Sequence, residues 1–280
     1  MKIASHQYGK QKVRVMKILR EGAVHTIKEL TVSVALQGDF QSSYIAGDNR
    51  LVVATDTMKN TVQALAKDHL GLETERFLAF LGQHFLEKYP QIEVATLRAD
   101  ERTWGRLEIE GRPHPHAFTA HDKVVPFTKA IASAAGMEIH SGIKDLVLMK
   151  STESSFTDYP RCEFTNLPET LDRVLATSLT ASWKWSAIPP NYPFANAAIL
   201  RAMLVPFANH HSPSAQTTLF EMGTAALDCC PQIAEIQLAM PNQHFIPISL
   251  EPFGMTNQNE IFLPTDEPHG LIEATLVRTN

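Results

Sequence analysis

Twice along the chain the residues run in the same order: paired β-rich segments, two amphipathic helical segments, then further β-rich segments. That order excludes more architectures than any other feature of the sequence. In the first pass, Val13 to Leu19 and Thr26 to Leu36 flank Glu21-Gly22-Ala23 and read as a hairpin. Gly9, just before it, is placed for a tight bend. Leu51-Val52-Val53 reads as an extended run ending in Ala54-Thr55-Asp56-Thr57, where Asp56 or Thr57 would cap a helix carrying Val62, Leu65, Ala66 and His69. A second helix, Thr74 to Lys88, sets Phe77, Leu78, Leu81 and Phe85 on one face and stops before Pro90. Glu93 to Leu97, Thr103 to Glu110 and Phe118 to Phe127 read as further strands.

In the second pass Ile143 to Lys150 and Leu179 to Trp185 are strand-like. Helices follow at Pro193 to Ala208 and at Pro213 to Leu227, the latter with Ser212 as cap and Pro213 as first helical residue. Ile233 to Met240, Phe245 to Leu250 and Leu271 to Val277 close the series. The expectation is an α+β chain of two homologous halves, 1–136 and 137–280, each laying a helix pair on one face of an antiparallel sheet. Free sheet edges would be completed by other subunits.

At 280 residues and 44% hydrophobic composition, such a chain has enough apolar surface for a substantial core. A net charge of −5 with scattered basic residues argues against nucleic acid as a partner. Cys162, Cys229 and Cys230 make no disulfide framework, and Cys229-Cys230 at a helix end read as buried thiols of a reducing compartment. The start, Met1 to Gln7, lacks the apolar core of a signal peptide, and no stretch is long enough to span a membrane; an intracellular, soluble protein is expected.

Several polar groups stand where chemistry is available. Thr55 and Asp56 open a helix, whose amides favour an anionic or hydrogen-bonding ligand; the plainer reading is a cap alone. Phe156 and Arg173 supply an aromatic face and a forked donor, the pair that a flat, oxygen-rich heterocycle needs. Singly, they read as a core residue and a surface cation. Ala215 and Gln216, in a first helical turn, offer a backbone amide and a side-chain amide. Asn242 and His244 fall on the turn Pro241 to Phe245, and the histidine there could pass protons near neutral pH. His114-Pro115-His116 has metal-ligand spacing, but no Cys or Glu completes a set nearby and a structural role is preferred.

Taken together, Tyr8-Gly9-Lys10, Gly47-Asp48-Asn49, Ala54 to Thr61, His114-Pro115-His116, Phe156, Asp172-Arg173, Trp183-Lys184-Trp185, Ser212 to Gln216 and Pro241 to His244 resemble the urate oxidase (uricase) family, in order and over nearly the whole chain. The resemblance implies two tandem tunnelling-fold repeats, with subunits assembling as a homotetramer into a tunnel and active sites at subunit interfaces. It implies Arg173 and Gln216 as the clamp on urate, the Ala215 amide beside them, and Phe156 stacked on the ring. Thr55 and Asp56 would reach the same ligand from a neighbouring subunit. Lys10 and Thr55 would form the catalytic pair, with His244 extending the proton relay and Asn242 holding dioxygen or water.

The implied reaction takes urate, dioxygen and water to 5-hydroxyisourate and hydrogen peroxide in purine catabolism, with no cofactor and no metal. Ala215 stands where many relatives carry a larger aliphatic residue, so a looser pocket wall is expected. The chain ends without a Ser-Lys-Leu address, which favours a cytoplasmic setting. Two other classes stay open at this point: a zinc-dependent hydrolase of pterins or purines using His114 and His116, and a purine-binding scaffold without activity.

Overall fold

The computed structural model describes residues 2–265 and 267–278. Met1, Thr279 and Asn280, on which the expectations about the two chain ends partly rest, lie outside them. The chain divides into two compact units, one comprising residues up to Gly142 with Lys184–Phe194, the other Ile143–Trp183 with the chain from Ala195 onward.

The first unit is built on the hairpin of β1 (Tyr8–Glu21) and β2 (Val24–Gly38), which turns through Gly22-Ala23. β2 buries Leu30, Val32, Val34 and Leu36, alternate residues that share one face. Next to β2 runs β3 (Ile92–Ile109), then β5 (Val125–Ser133) and β6 (Gly136–Lys150), while β4 (Arg112–His121) pairs with the far end of β3. A short helix, α1 (Gln41–Ala46), precedes α2 (Thr55–His69) and α3 (Thr74–Lys88). α3 packs on β3 and β5, and α2 on β1. Their apolar stripes, Met58, Val62 and Ala66 from α2 and Phe77, Leu78, Leu81 and Phe85 from α3, are buried. Each such side chain contributes roughly 1.5–3 kcal/mol by leaving water, so packing rather than intrinsic propensity holds these helices.

Three expectations change here. The strands expected at 93–97 and 103–110 are one 18-residue strand, β3. Its central Asp100-Glu101-Arg102 looks like a turn in sequence, yet Glu101 is paired with Lys28 at 2.5 Å and Arg102 with Asp122 at 2.9 Å, so the charges are satisfied without breaking the ladder. The strand expected at 118–127 is split between β4 and β5 by a turn at 122–124. Val52 and Val53 are not extended-sheet residues but part of the loop entering α2.

The second unit contains β7 (Leu175–Trp185), β8 (Ile233–Pro247) and β10 (Leu271–Val277) as neighbours, with β9 (Phe262–Thr265) on the far end of β8. β7 and β6 each contribute residues to both units. Helix α4 (Tyr192–Asn209) buries Ile199 and Met203, and α5 (Ala215–Cys229) buries Leu219, Met222 and Ala226 on the side of β8, which buries Ile236, Leu238 and Met240. α5 packs on β8 and β10. At its end the Arg278 guanidinium donates to the carbonyl oxygens of Leu227, Cys230 (2.9 Å) and Ile233 (3.1 Å), filling acceptors that a helix terminus leaves open. Cys230 is buried, but Cys229 is exposed, contrary to the expectation of two buried thiols. Among the described residues no helix is long and apolar enough to cross a membrane.

Candidate active site

In the first unit, the hairpin register sets the direction of Lys10. Tyr8 stands opposite Leu36 and Lys10 opposite Val34, both fully buried on the helix-covered face. Paired residues of antiparallel strands send their side chains to one face. Lys10 therefore leaves the sheet on the side where α2 packs. Gly9 makes no bend there: a Cβ would lie 1.8 Å from the Val34 carbonyl oxygen, so the position needs glycine for close approach of the two strands. The irregularity falls after Lys10, where the register shifts before Val13 and Lys12 adopts φ 56°.

Thr55 is the first residue of α2, and its N-cap is Ala54, without a side-chain cap. The expected cap at Asp56 or Thr57 is corrected because the Met58 amide already donates to the Ala54 carbonyl at 3.1 Å, starting the helix earlier. Asp56 instead accepts from Lys59 Nζ at 2.5 Å and Asn60 Nδ2 at 2.9 Å. These bonds hold its carboxyl below the usual range, Lys59 first, with the charge of Lys10 a smaller contributor. Thr55 and Asp56 are exposed, beside the free amides of the first turn. The Tyr8 hydroxyl accepts from the Val53 amide at 2.7 Å and donates to the Val53 carbonyl at 3.2 Å, tying the start of β1 to the loop before Thr55.

In the second unit, backbone bridges bring together Phe156, Arg173 and the entrance to α5. Ser154 bridges Ser212, and Phe156 bridges Thr170. The Ser155 amide donates to Ser212 O, the Ser212 amide to Glu153 O and the Arg173 amide to Ser154 O, each at 2.8 Å. Asn166 to Asp172 is thus an irregular returning segment, with its Thr170 committed to Phe156. The Arg173 side chain donates to Ser154 Oγ at 3.4 Å, and its guanidinium carbon lies 5.1 Å from the centre of the Phe156 ring. The other neighbour of that ring is Tyr159, nearly parallel at 4.8 Å and held by its hydroxyl bond to Leu167 O at 2.5 Å.

Arg173 is half-buried, and among the described residues it has no acidic partner. Burial alone lowers its pKa, with no carboxylate to offset the loss of water. Ala215 and Gln216 are the first two residues of α5, whose cap is Ser214: its Oγ accepts from the Thr217 amide at 3.1 Å. The cap expected at Ser212 is thereby moved two residues on: the Ser212 hydroxyl donates instead to the Ser214 carbonyl at 3.1 Å and accepts from Thr218 Oγ1 at 2.7 Å. Asn242 and His244 lie inside β8, not on a turn. The extended backbone puts both side chains on one side, 3.5 Å apart from Asn242 Nδ2 to His244 Nδ1.

On the opposite side of the Glu153–Phe156 segment, Ser155 Oγ is 3.0 Å from His211 Nε2 and His211 Nδ1 is 3.2 Å from Glu153 Oε2. The spacing is that of a nucleophile, base and acid, yet the amides of Ser155 and Phe156 are already bonded to Ser212 O and Thr170 O and offer no oxyanion donors. The three side chains anchor the segment. His114 and His116 meet ring to ring at 4.6 Å, and among the described residues no third ligand joins them into a group that could hold a metal ion. Sequence reasoning missed Tyr8, Ser154, Tyr159 and Ser212 as site residues. Tyr8 and Ser212 lie in segments singled out above but without a site role, and Ser154 and Tyr159 give no signal of their own.

The antiparallel sheet and the helix pair that recurs in each half of the chain define an α+β protein of the tunnelling-fold kind. A family model described as Uricase matches residues 6–131 and 139–273. A uricase of Arthrobacter globiformis is 40% identical over 276 residues, covering 99% of this chain and 90% of that protein. One of Aspergillus flavus is 33% identical over 294 residues, covering 99% and 97%. The crystal structure of the Arthrobacter globiformis uricase matches with a TM-score of 0.95 at 40% identity, over 99% of this chain and 95% of that one. The chain belongs to the uricase family.

Proposed function

We propose that this protein is a urate oxidase, taking urate, dioxygen and water to 5-hydroxyisourate and hydrogen peroxide without metal or organic cofactor. The observation that carries the reading is Arg173: a half-buried guanidinium with no ion-pair partner among the described residues, standing over an aromatic ring at the entrance to a helix. Desolvating a cation costs several kcal/mol unless an anion answers it, and urate is a flat anion. The ring would stack on the Phe156 face opposite Tyr159, and the guanidinium would move from over Phe156 to the edge of the ligand. Gln216 and the Ala215 amide would complete the clamp, the helix terminus favouring negative charge.

The enzyme's work is positioning and proton transfer, since deprotonated urate is itself electron-rich. Lys10 and Thr55 would remove and carry protons, His244 would extend the relay, and Asn242 would hold dioxygen or water above the ring. Thr55 and Asp56 would reach the ligand from a neighbouring subunit of a homotetramer built from the repeats 1–136 and 137–280. A cytoplasmic role in purine catabolism fits this assignment.

Arg173→Lys tests the clamp. A lysine keeps the charge and loses the fork, so KM for urate should rise about 10- to 100-fold, the worth of a charge-assisted bond of roughly 1.5–3 kcal/mol. An unchanged KM in a well-folded variant would remove Arg173 from the site.

A further inference from the structure

The proton-transfer pair proposed above sits on two separate elements, Lys10 on β1 and Thr55 on α2. Something must set the gap between them. Among the described residues Lys10 makes no hydrogen bond to α2, acting on Asp56 through its charge alone, and Thr55 opens its helix without a side-chain cap. What links the two elements at this end is Tyr8, two residues before Lys10, bonded through one hydroxyl to both backbone groups of Val53, two residues before Thr55. The tie is short and symmetric about the pair. Residues two apart on a strand share a face, so Tyr8 and Lys10 project together toward α2.

The rest of the setting keeps the phenol in place. The Tyr8 ring meets Phe40 edge to face at 4.8 Å, and Phe40 is fully buried. Burial raises the hydroxyl's pKa, which keeps it protonated and able to donate to the Val53 carbonyl while accepting from the Val53 amide. The register shifts just after Lys10, so the tie at Tyr8 fixes the strand on the other side of that irregularity.

We propose that Tyr8 is a positioning residue for the reaction, its hydroxyl fixing the separation of Lys10 and Thr55. The inference rests on the reading of Lys10 and Thr55 as the proton-transfer pair. Tyr8 itself touches neither substrate nor oxygen in this account, so its effect should appear in turnover rather than in urate binding.

The experiment is a double-mutant cycle of Tyr8→Phe and Lys10→Ala, read by urate-dependent oxygen uptake, with thermal midpoints measured alongside. Tyr8→Phe keeps the ring on Phe40 and removes only the hydroxyl. Its kcat should fall about 10- to 100-fold, the range that a sub-ångström to 1 Å misplacement gives, with KM within about twofold of the parent. In the Lys10→Ala background the same change should cost nothing further, because there is no amine left to position. An unchanged kcat for Tyr8→Phe, or an equal loss in both backgrounds, would overturn the proposal and leave Tyr8 a fold residue. Full activity in Lys10→Ala would instead strike the proton-transfer reading itself, a separate result. If Tyr8→Phe does not fold, 3,5-difluorotyrosine at position 8 supplies the test. The acidified phenol should lose its bond to the Val53 carbonyl on ionising, giving a pH-dependent fall in kcat that the parent lacks; a matching pH profile would overturn the proposal.

Discussion

Arg173 and Glu138 show how differently two charged side chains are treated in this molecule. Arg173 is half-buried with no acidic partner among the described residues, whereas Glu138 accepts from Lys184 Nζ at 2.5 Å and His140 Nε2 at 2.9 Å. The Lys184 bond, then the His140 bond, bring the Glu138 carboxyl down to about 2 from an ordinary 4.5. A depressed carboxyl stabilises the fold above its unfolded pKa and loses that contribution as pH falls toward its folded value. Glu138→Gln should therefore melt below the parent at pH 6, with the gap narrowing between pH 4.5 and about 2. The group is over a third exposed, so solvent screening keeps the gap small. A gap of the same size at pH 6 and pH 2.5 would contradict the pairing. The residue types of the candidate site are visible in sequence, since an aromatic, a guanidinium and amides near a helix start suit an anion; that they act together is the proposal. The anchors are not visible there: Ser154, Ser212 and Thr170 act through backbone bridges between segments that sequence places far apart.

At the scale of elements, strong amphipathic periodicity decided what could be read. α3 has the bounds expected, because Phe77, Leu78, Leu81 and Phe85 recur at helical spacing and Lys88-Tyr89-Pro90 ends the run. Sequence misplaces a helix start where the capping side chain has other work: the Ser212 hydroxyl is spent on the Ser214 carbonyl and Thr218, and Asp56 on Lys59 and Asn60. β3 reads as two strands in sequence because Glu101 and Arg102 in its charged middle find their partners, Lys28 and Asp122, far away along the chain. The true cap of α5 makes a direct prediction. Ser214→Ala removes the acceptor of the Thr217 amide and should cost about 1 kcal/mol of stability. KM for urate should rise as well, since Ala215 and Gln216 follow immediately. Loss of stability with an unchanged KM would place the ligand away from this helix entrance.

For the whole molecule, the proposal divides the chemistry between chains: Lys10, Thr55 and Asp56 from one subunit, Phe156, Arg173, Ala215 and Gln216 from another. The two groups belong to different compact units of the chain. Arg173→Ala and Thr55→Ala subunits, each inactive alone, should then regain activity when dissociated, mixed and reassembled, because some sites would inherit an intact copy of each half. No recovery in verified mixed assemblies would mean that each site is made by a single chain. The central claim is the oxidation of urate by dioxygen with protein groups alone, and the most direct measurement is oxygen uptake by chelator-treated protein, with urate loss and peroxide followed in the same sample. The account predicts equal amounts of urate and oxygen consumed and peroxide formed, with 5-hydroxyisourate as the first product. Absence of uptake from well-folded protein, activity that returns only with added metal, or allantoin as the direct product would contradict it.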